Sequence, residues 1–269
     1  MTTPTIRPAG LHEAALAADI MTASFPREPQ DPELTARRWK HPKAGWTYGR
    51  FIVEVAGEPA GYLELEHGAW SQLPERHCWL DVYLDREHMD ERLLNDLWRW
   101  IEDAAAAEGS LTLMAACGED EPEMIRVIES RGYERERTER VWSLDLRKHG
   151  GRIVADAAAS RARMETAGIT LTTLDRWDDR DKLRKLHELN ELTRPDIPST
   201  GPVLPQTFED FLVRVESPGT PQGRWWMALR GQDVVAMSYL SYPPVRGSVW
   251  TSFTCCHPEH RGRGIARAV

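Results

Sequence analysis

One order of elements recurs twice along this chain, and the repetition narrows the available folds more than any single motif does. From Thr5 the apolar pattern reads strand, helix, helix, hairpin, strand, helix, and from Ile169 it reads the same way again. The hairpin glycines Gly57 and Gly231 stand 174 positions apart. His88 and His260, each just past a strand, stand 172 apart. Such near-constant spacing supports an internal duplication. A length of 269 residues also favours two domains.

In the first copy, Thr5–Pro8 reads as a strand and Leu11–Phe25 as a helix, with Leu11, Ala14, Ala15, Ala18 and Met21 at helical spacing and Pro26 and Pro29 ending it. Asp31 before Pro32 is an N-cap and first-turn proline for a helix through Lys40. Phe51–Val55 and Ala60–Leu65 flank Gly57 as a hairpin, and Cys78–Leu84 is a strand. Met89–Glu108 carries the apolar stripe Leu93, Leu94, Leu97, Trp98 and Ile101, which makes Trp98 a core residue, and Gly109 ends this helix. A strand at Leu111–Ala115, a helix at Pro122–Ser130 and a closing hairpin of Tyr133–Arg137 with Arg140–Leu146 complete the copy. Lys148–Gly151 reads as a break, and the alanine-rich Ala155–Ala167 as a linker helix stopped by Gly168. The expected division is therefore 1–147, a linker at 148–168, and 169–269.

The second copy opens with a strand at Ile169–Leu174. A helix follows at Arg180–Leu192, with Leu183, Leu186, His187, Leu189 and Leu192 on one side. A proline-rich loop, Arg194–Pro205, leads to a helix at Phe208–Glu216 and a hairpin of Trp225–Leu229 and Val234–Tyr239. Ser248–Cys256 has the β-branched, aromatic and small residues of a buried strand, and Pro258 ends it. Then come Arg261, Gly262, Arg263, Gly264, Ile265 and Ala266, and the start of a helix. Two residues without Cβ let a ligand approach the backbone, and a helix start offers unpaired N–H groups, a combination suited to phosphate or pyrophosphate. The Lys-Ser or Lys-Thr of a P-loop and the GxGxxG of a dinucleotide fold are not there. In the first copy the matching positions are Met89, Asp90, Glu91 and Arg92. Both glycines are lost and two carboxylates stand where an anion would sit, so no anion is expected there.

This second-copy stretch resembles the acyl-CoA signature of the GNAT acetyltransferase superfamily, Gln/Arg-x-x-Gly-x-Gly/Ala. Arg261, Gly264 and Ala266 stand on its defined positions, and His257-Pro258-Glu259-His260 looks like the family's lead-in. The resemblance implies an α/β (α+β) fold of two tandem GNAT-like domains, each a mixed, mostly antiparallel sheet flanked by helices. It implies an N-acetyltransferase that uses acetyl-CoA as cosubstrate and an amine as acceptor. Thr254, Cys255 and Cys256 would bond the pantetheine arm through their backbones, with the Cys256 N–H polarising the thioester carbonyl. Gly262, Arg263, Gly264, Ile265 and Ala266 would cradle the pyrophosphate, with charge from Arg261 and Arg263. The first copy becomes a degenerate GNAT-like domain. Against it, Val269 matches Leu97, so the C-terminal domain is expected to be incomplete. The wanting parts would include the strand forming the other wall of the pantetheine gap and the helix that in this family often carries a tyrosine general acid. No Asp, Glu or His lies between Ser248 and Cys256. His187, Glu191 and Asp196 are near the expected acceptor loop, and none is assigned a catalytic role. An alternative is a non-catalytic acyl-CoA-binding or regulatory protein.

Other classes find little support. A net charge of −8 gives no general attraction for nucleic acid, although arginine–glycine clusters occur in nucleic-acid-binding tails. No apolar run reaches the roughly 20 residues of a membrane span. MTTPTIRPAG has no signal-peptide core, so the expectation is a cytoplasmic protein. Cys78, Cys117, Cys255 and Cys256 form no C-x-x-C pair, and His257 and His260 have no completing ligand, so no metal is expected. The cysteines read as small buried apolar residues, Cys255 and Cys256 on opposite faces of their strand. A hydrolase would need a nucleophile motif such as G-x-S-x-G, which does not occur.

Overall fold

The structure is a computed structural model that describes residues 4–269. It divides into two compact units. The first runs to Glu136 and includes Pro243–Ser248, and the second comprises Arg137–Tyr242 and Val249–Val269.

The first unit contains β1 (Thr5–Pro8), α1 (Ala14–Ser24), α2 (Pro32–Lys40), β2 (Trp46–Val55), β3 (Glu58–Gly68), β4 (His77–Leu84), α3 (Glu91–Ala107), β5 (Thr112–Met114) and α4 (Pro122–Ser130). The sheet order is β1-β2-β3-β4-β5, antiparallel except that β5 runs parallel to β4. That parallel pair covers only His77–Trp79 with Thr112–Met114, so Leu80–Leu84 has no partner on that side among the described residues. α2 starts where the sequence predicts, because Asp31 Oδ1 accepts from the N–H groups of Glu33 and Leu34. The α3 stripe packs Leu94, Leu97, Trp98 and Ile101 against Leu63, Leu65, Leu80 and Val82. On the other sheet face α1 and α2 bury Ile52 and Tyr62 with Ala17, Ala18, Met21 and Trp39.

The second unit contains α5 (Leu146–Thr166), β6 (Thr170–Thr173), α6 (Lys182–Thr193), α7 (Phe208–Val215), β7 (Trp225–Arg230), β8 (Asp233–Ser241) and β9 (Trp250–Cys256). Its sheet, β6-β7-β8-β9, is antiparallel throughout. Leu186, Leu189, Phe211 and Val215 from α6 and α7 pack on Trp225, Met227, Met237 and Tyr239.

Four expectations need correction. Residues 133–145 form no strand, and Trp142 is 84 % exposed; among the described residues no strand pairs with them to complete the predicted closing hairpin. The predicted break at Lys148–Gly151 lies inside α5, which Asp145 caps by accepting from the N–H groups of Arg147 and Lys148. Helical alanines carry the two glycines along at a cost of about 1 kcal/mol each. In α6, Leu192 faces solvent while Asn190 and Thr193 take the inner positions, as the 3.6-residue period from Leu186 requires. β9 is an edge strand rather than a buried one. Among the described residues it pairs only with β8, and of its side chains only Cys255 is buried.

The two sheets share a backbone irregularity. Val53 pairs with Gly61 and Glu54 with Pro59, leaving Ala60 as a bulge in β3; Ala228 pairs with Ala236 and Leu229 with Val234, leaving Val235 as a bulge in β8. Each bulged carbonyl accepts from the N–H that follows the next strand: Ala60 O from Asp85 at 2.8 Å, and Val235 O from His257 at 2.8 Å. The backbone is thus repeated where the side chains are not. In the first unit one cross-strand row is Arg50–Glu64–Asp81, and in the second the row in the same place is Trp225–Tyr239–Phe253.

The ionic row has a pH signature. Burial, reinforced by the neighbouring Glu64 charge, pushes the Asp81 carboxyl up to about 7. Between about pH 4 and 7 the folded state keeps a proton that the unfolded state has released. Its contribution to stability therefore falls through that window and levels off above it, by about 4 kcal/mol in all. Urea unfolding of wild type and Asp81→Asn at pH values across the window is expected to show this fall in the wild type only. Parallel curves would contradict the assignment.

Candidate functional site

The loop after β9 is built from the bulge outward. With His257 N–H bound to Val235 O, antiparallel alternation turns the backbone groups of Cys255 toward β8 and those of Thr254 and Cys256 toward the open edge. This bears on the expectation that all three backbones meet one ligand, since only Thr254 and Cys256 offer theirs outward. A second bulge, at Ser252 between the pairs Tyr239–Phe253 and Leu240–Thr251, lies in β9 beside this edge; β4 pairs with β3 without a shift. Bulges of this kind re-aim side chains next to sites.

Past β9, His257 Nδ1 accepts from the Glu259 N–H at 3.3 Å and caps a 3-10 turn, Pro258–His260. Arg261 turns back along the strand. Its Nε donates to Cys256 O at 3.1 Å, and its Nη2 makes an ion pair with Asp196. Gly262 and Gly264 have φ of +74° and +76°, left-handed values that side chains resist. A Cβ built on either meets no atom within 4 Å, so the space above the loop is open. Ile265 is 2 % exposed and pins the loop from below, among Met164, Ile169, Ala228, Val235 and Ala236. The predicted helix is here a single 3-10 turn, Ile265–Arg267. Among the described residues nothing accepts a hydrogen bond from the five successive backbone N–H groups of Gly262, Arg263, Gly264, Ile265 and Ala266. Such a run is a concave donor surface for an anion.

A cleft of about 220 Å³ adjoins the strand edge, lined by Thr193, Asp196, Ile197, Phe253, Thr254, Cys255, Cys256 and Arg261. It gathers four of the nine predicted site residues. Gly262, Arg263, Gly264 and Ala266 are exposed beyond it, and Ile265 is buried beneath. Thr254 Oγ1 lies 2.8 Å from Ser238 Oγ. Burial pushes both cysteine thiols up, so neither is a thiolate at neutral pH. Burial and the charges of Arg263 and Arg230 push His260 down, which keeps its imidazole neutral. Of the three residues near the acceptor loop, His187 Nε2 meets Gln206 O at 2.8 Å and Glu191 Oε2 accepts from Gln206 N–H at 2.9 Å, so both hold the loop root. Only Asp196 reaches the cleft. Thr193 and Ile197 were not singled out from sequence. The one available signal was Pro195, which fits the 3-10 turn Arg194–Asp196 that presents Asp196 and Ile197.

The matching place in the first unit has opposite chemistry. Asp85 N–H is held by Ala60 O, and Asp90 Oδ1 accepts from Leu93 N–H at 2.9 Å, closing the start of α3 with a carboxylate. A cleft of about 270 Å³ there is lined by Ser24, Arg86, Met89, Asp120, Glu121, Glu123 and Met124. Among the described residues no group of His, Cys, Asp and Glu is arranged to hold a metal, and no helix is long and apolar enough to cross a membrane.

Residues 15–133 match the acetyltransferase (GNAT) family. The match falls on the copy without the glycine loop. No curated protein sequence matches the chain. Among solved structures, similarity extends to a tandem GNAT protein from the clavulanic acid biosynthesis pathway, solved without acetyl-CoA, at 13 % identity over 99 % of this chain and 83 % of that one (TM-score 0.68). It extends also to a GCN5-related N-acetyltransferase from Sphaerobacter thermophilus, at 19 % identity over 98 % and 79 % (TM-score 0.59). A glucosamine N-acetyltransferase region of a fungal multi-domain GH3 β-N-acetylglucosaminidase matches at 10 % identity over 100 % and 33 % (TM-score 0.60). At these identities the likeness is one of fold.

Proposed function

We propose, on the premise that residues 15–133 are a GNAT acetyltransferase domain and the whole chain has the tandem GNAT fold, that the second half binds acetyl-CoA and transfers its acetyl group to an amine. The observation that carries this reading is the run of unpartnered N–H groups from Gly262 to Ala266 beside an open strand edge. Those donors suit a diphosphate, and open space over both glycines leaves room for it. Arg261 adds a fixed positive charge, and exposed Arg263 adds another. The outward backbone groups of Thr254 suit an amide of a pantetheine arm laid along the edge, while the Cys256 carbonyl already accepts from Arg261.

Bound there, acetyl-CoA supplies a thioester carbonyl carbon for a neutral amine to attack. The Cys256 N–H points outward where it can bond the carbonyl oxygen and hold the negative charge that develops on it. The amine must lose a proton on the way to the amide, and the departing sulfur must be neutralised. The first half is read as a GNAT-like domain without acyl-CoA, because Asp90 fills its helix start and Asp120, Glu121 and Glu123 line its cleft. A reducing cytoplasmic setting fits four unpaired cysteines.

A second reading, acyl-CoA binding without transfer, is favoured by one observation: β9 offers no Asp, Glu or His as a proton acceptor. Two measurements on the full chain decide. Titration calorimetry with acetyl-CoA is expected to show one micromolar site, and thiol release is expected with at least one of a panel of primary amines. Binding without thiol release selects the second reading, and no binding at millimolar ligand sinks both.

A further inference from the structure

The donor site as it stands carries its own counter-ion. Arg261 is held at two points of different character. Its Nε bond goes to the Cys256 carbonyl, which belongs to the strand edge, while its Nη2 bond goes to Asp196, a side chain from 65 positions earlier. Release of the second leaves the first intact, so the guanidinium can change partner without leaving the strand. The pair is 45 % and 53 % exposed, and an ion pair so open to solvent is weak and readily exchanged. A diphosphate offers the guanidinium a stronger, bidentate partner.

The segment carrying Asp196 is anchored away from the exchange. Arg194 Nη2 donates to Leu204 O at 2.7 Å, Gln206 N–H donates to Glu191, and the Ile197 N–H closes the turn on Arg194 O at 3.0 Å. The loop root therefore has no need to move when the Asp196 carboxylate does. In the first unit Met89 stands in the place of Arg261, so this pair belongs to the second half alone.

We infer that Asp196 is a positioning residue that occupies Arg261 until a diphosphate displaces it, and that its freed carboxylate then faces the cleft as a partner for a cationic acceptor. The inference rests on the acyl-CoA reading of this loop. It makes donor binding a precondition for a fully formed acceptor site. It also means that Asp196 weakens donor binding, because the diphosphate must displace it from Arg261.

The test is titration of CoA into the full chain and its Asp196→Asn variant, with circular dichroism to confirm that the fold is unchanged. Asp196→Asn is expected to bind CoA about fivefold more tightly at low salt, with the gain shrinking as salt weakens the competing ion pair. Arg261→Gln is expected to weaken binding about tenfold, and in that background Asp196→Asn is expected to change it less than about twofold, since the two residues act through each other. Wild type that binds CoA with Asp196→Asn equal or weaker overturns the inference and leaves the acyl-CoA reading standing. Failure of both proteins to bind overturns the two together, and binding by Asp196→Asn alone supports both.

Discussion

Gly264→Asp is expected to lower CoA affinity at least about a hundredfold while leaving the fold in place. The size follows from what the new carboxylate does. It lies beside the unpartnered N–H groups of Ile265 and Ala266, competes for them, and repels a diphosphate. Each charge-assisted bond lost is worth about 1.5–3 kcal/mol, so two suffice. Structural damage is small in comparison. The added Cβ meets nothing within 4 Å, and the cost of a side chain at φ +76° is about 1–2 kcal/mol. Gly264→Asn separates the causes, because asparagine tolerates the left-handed region and carries no charge. Titration calorimetry with a melting curve for each variant reads both effects. If Gly264→Asp binds CoA as wild type does, the donor site is elsewhere.

Glu64→Ala is expected to destabilise the first unit by about 3–5 kcal/mol. Glu64 is 3 % exposed and accepts from Arg38 Nη2 at 3.1 Å, Arg50 Nε at 2.9 Å and the Tyr62 hydroxyl at 2.8 Å. Arg50 is itself 13 % exposed, with its Nη2 already unpartnered, so loss of the carboxylate strands a buried cation. Amide hydrogen exchange at Ile52 and Tyr62 is the measurement, since it reports this unit without assuming that both unfold together. Exchange unchanged in Glu64→Ala would mean that the guanidinium groups find water instead. Removing Arg50 as well should recover part of the loss, because the more deeply buried of the two stranded guanidinium groups is then gone. The same change takes away the negative neighbour that helps hold the Asp81 proton, so the pH dependence predicted for Asp81 should shrink with it.

What could be read ahead of the structure was what neighbours in sequence decide. Asp31 with Pro32 marks the start of α2, and the α4 boundaries fall at the predicted Pro122 and Ser130. The α3 stripe and both glycine hairpins came from spacing and turn chemistry alone. What escaped depends on partners far away in sequence. Arg140–Leu146 has the alternation of a strand, but among the described residues no strand pairs with it. β9 has the composition of a buried strand, but its burial depends on what pairs with it. In Leu63-Glu64-Leu65-Glu66 the alternation separates the two faces correctly and suggests that the glutamates are wet. It gives no hint that α1 and α2 close over that second face and leave Glu64 dry. At the candidate site the glycines and Arg261 were legible because backbone freedom and charge are local properties. Asp196 as the partner of Arg261 was not, because nothing in the sequence joins positions 196 and 261.

The bulged carbonyls of Ala60 and Val235 make the two halves a pair of identical sockets. Each grips its insert by a main-chain hydrogen bond, so the insert's side chains are free to change without moving its mouth. One socket now holds an acidic plug and the other a bare cationic one. A transplant of His257–Ala266 in place of Asp85–Leu94 would therefore find the same main-chain grip waiting, and opposite electrical character in the two halves reflects a change of fittings around one shared bulge.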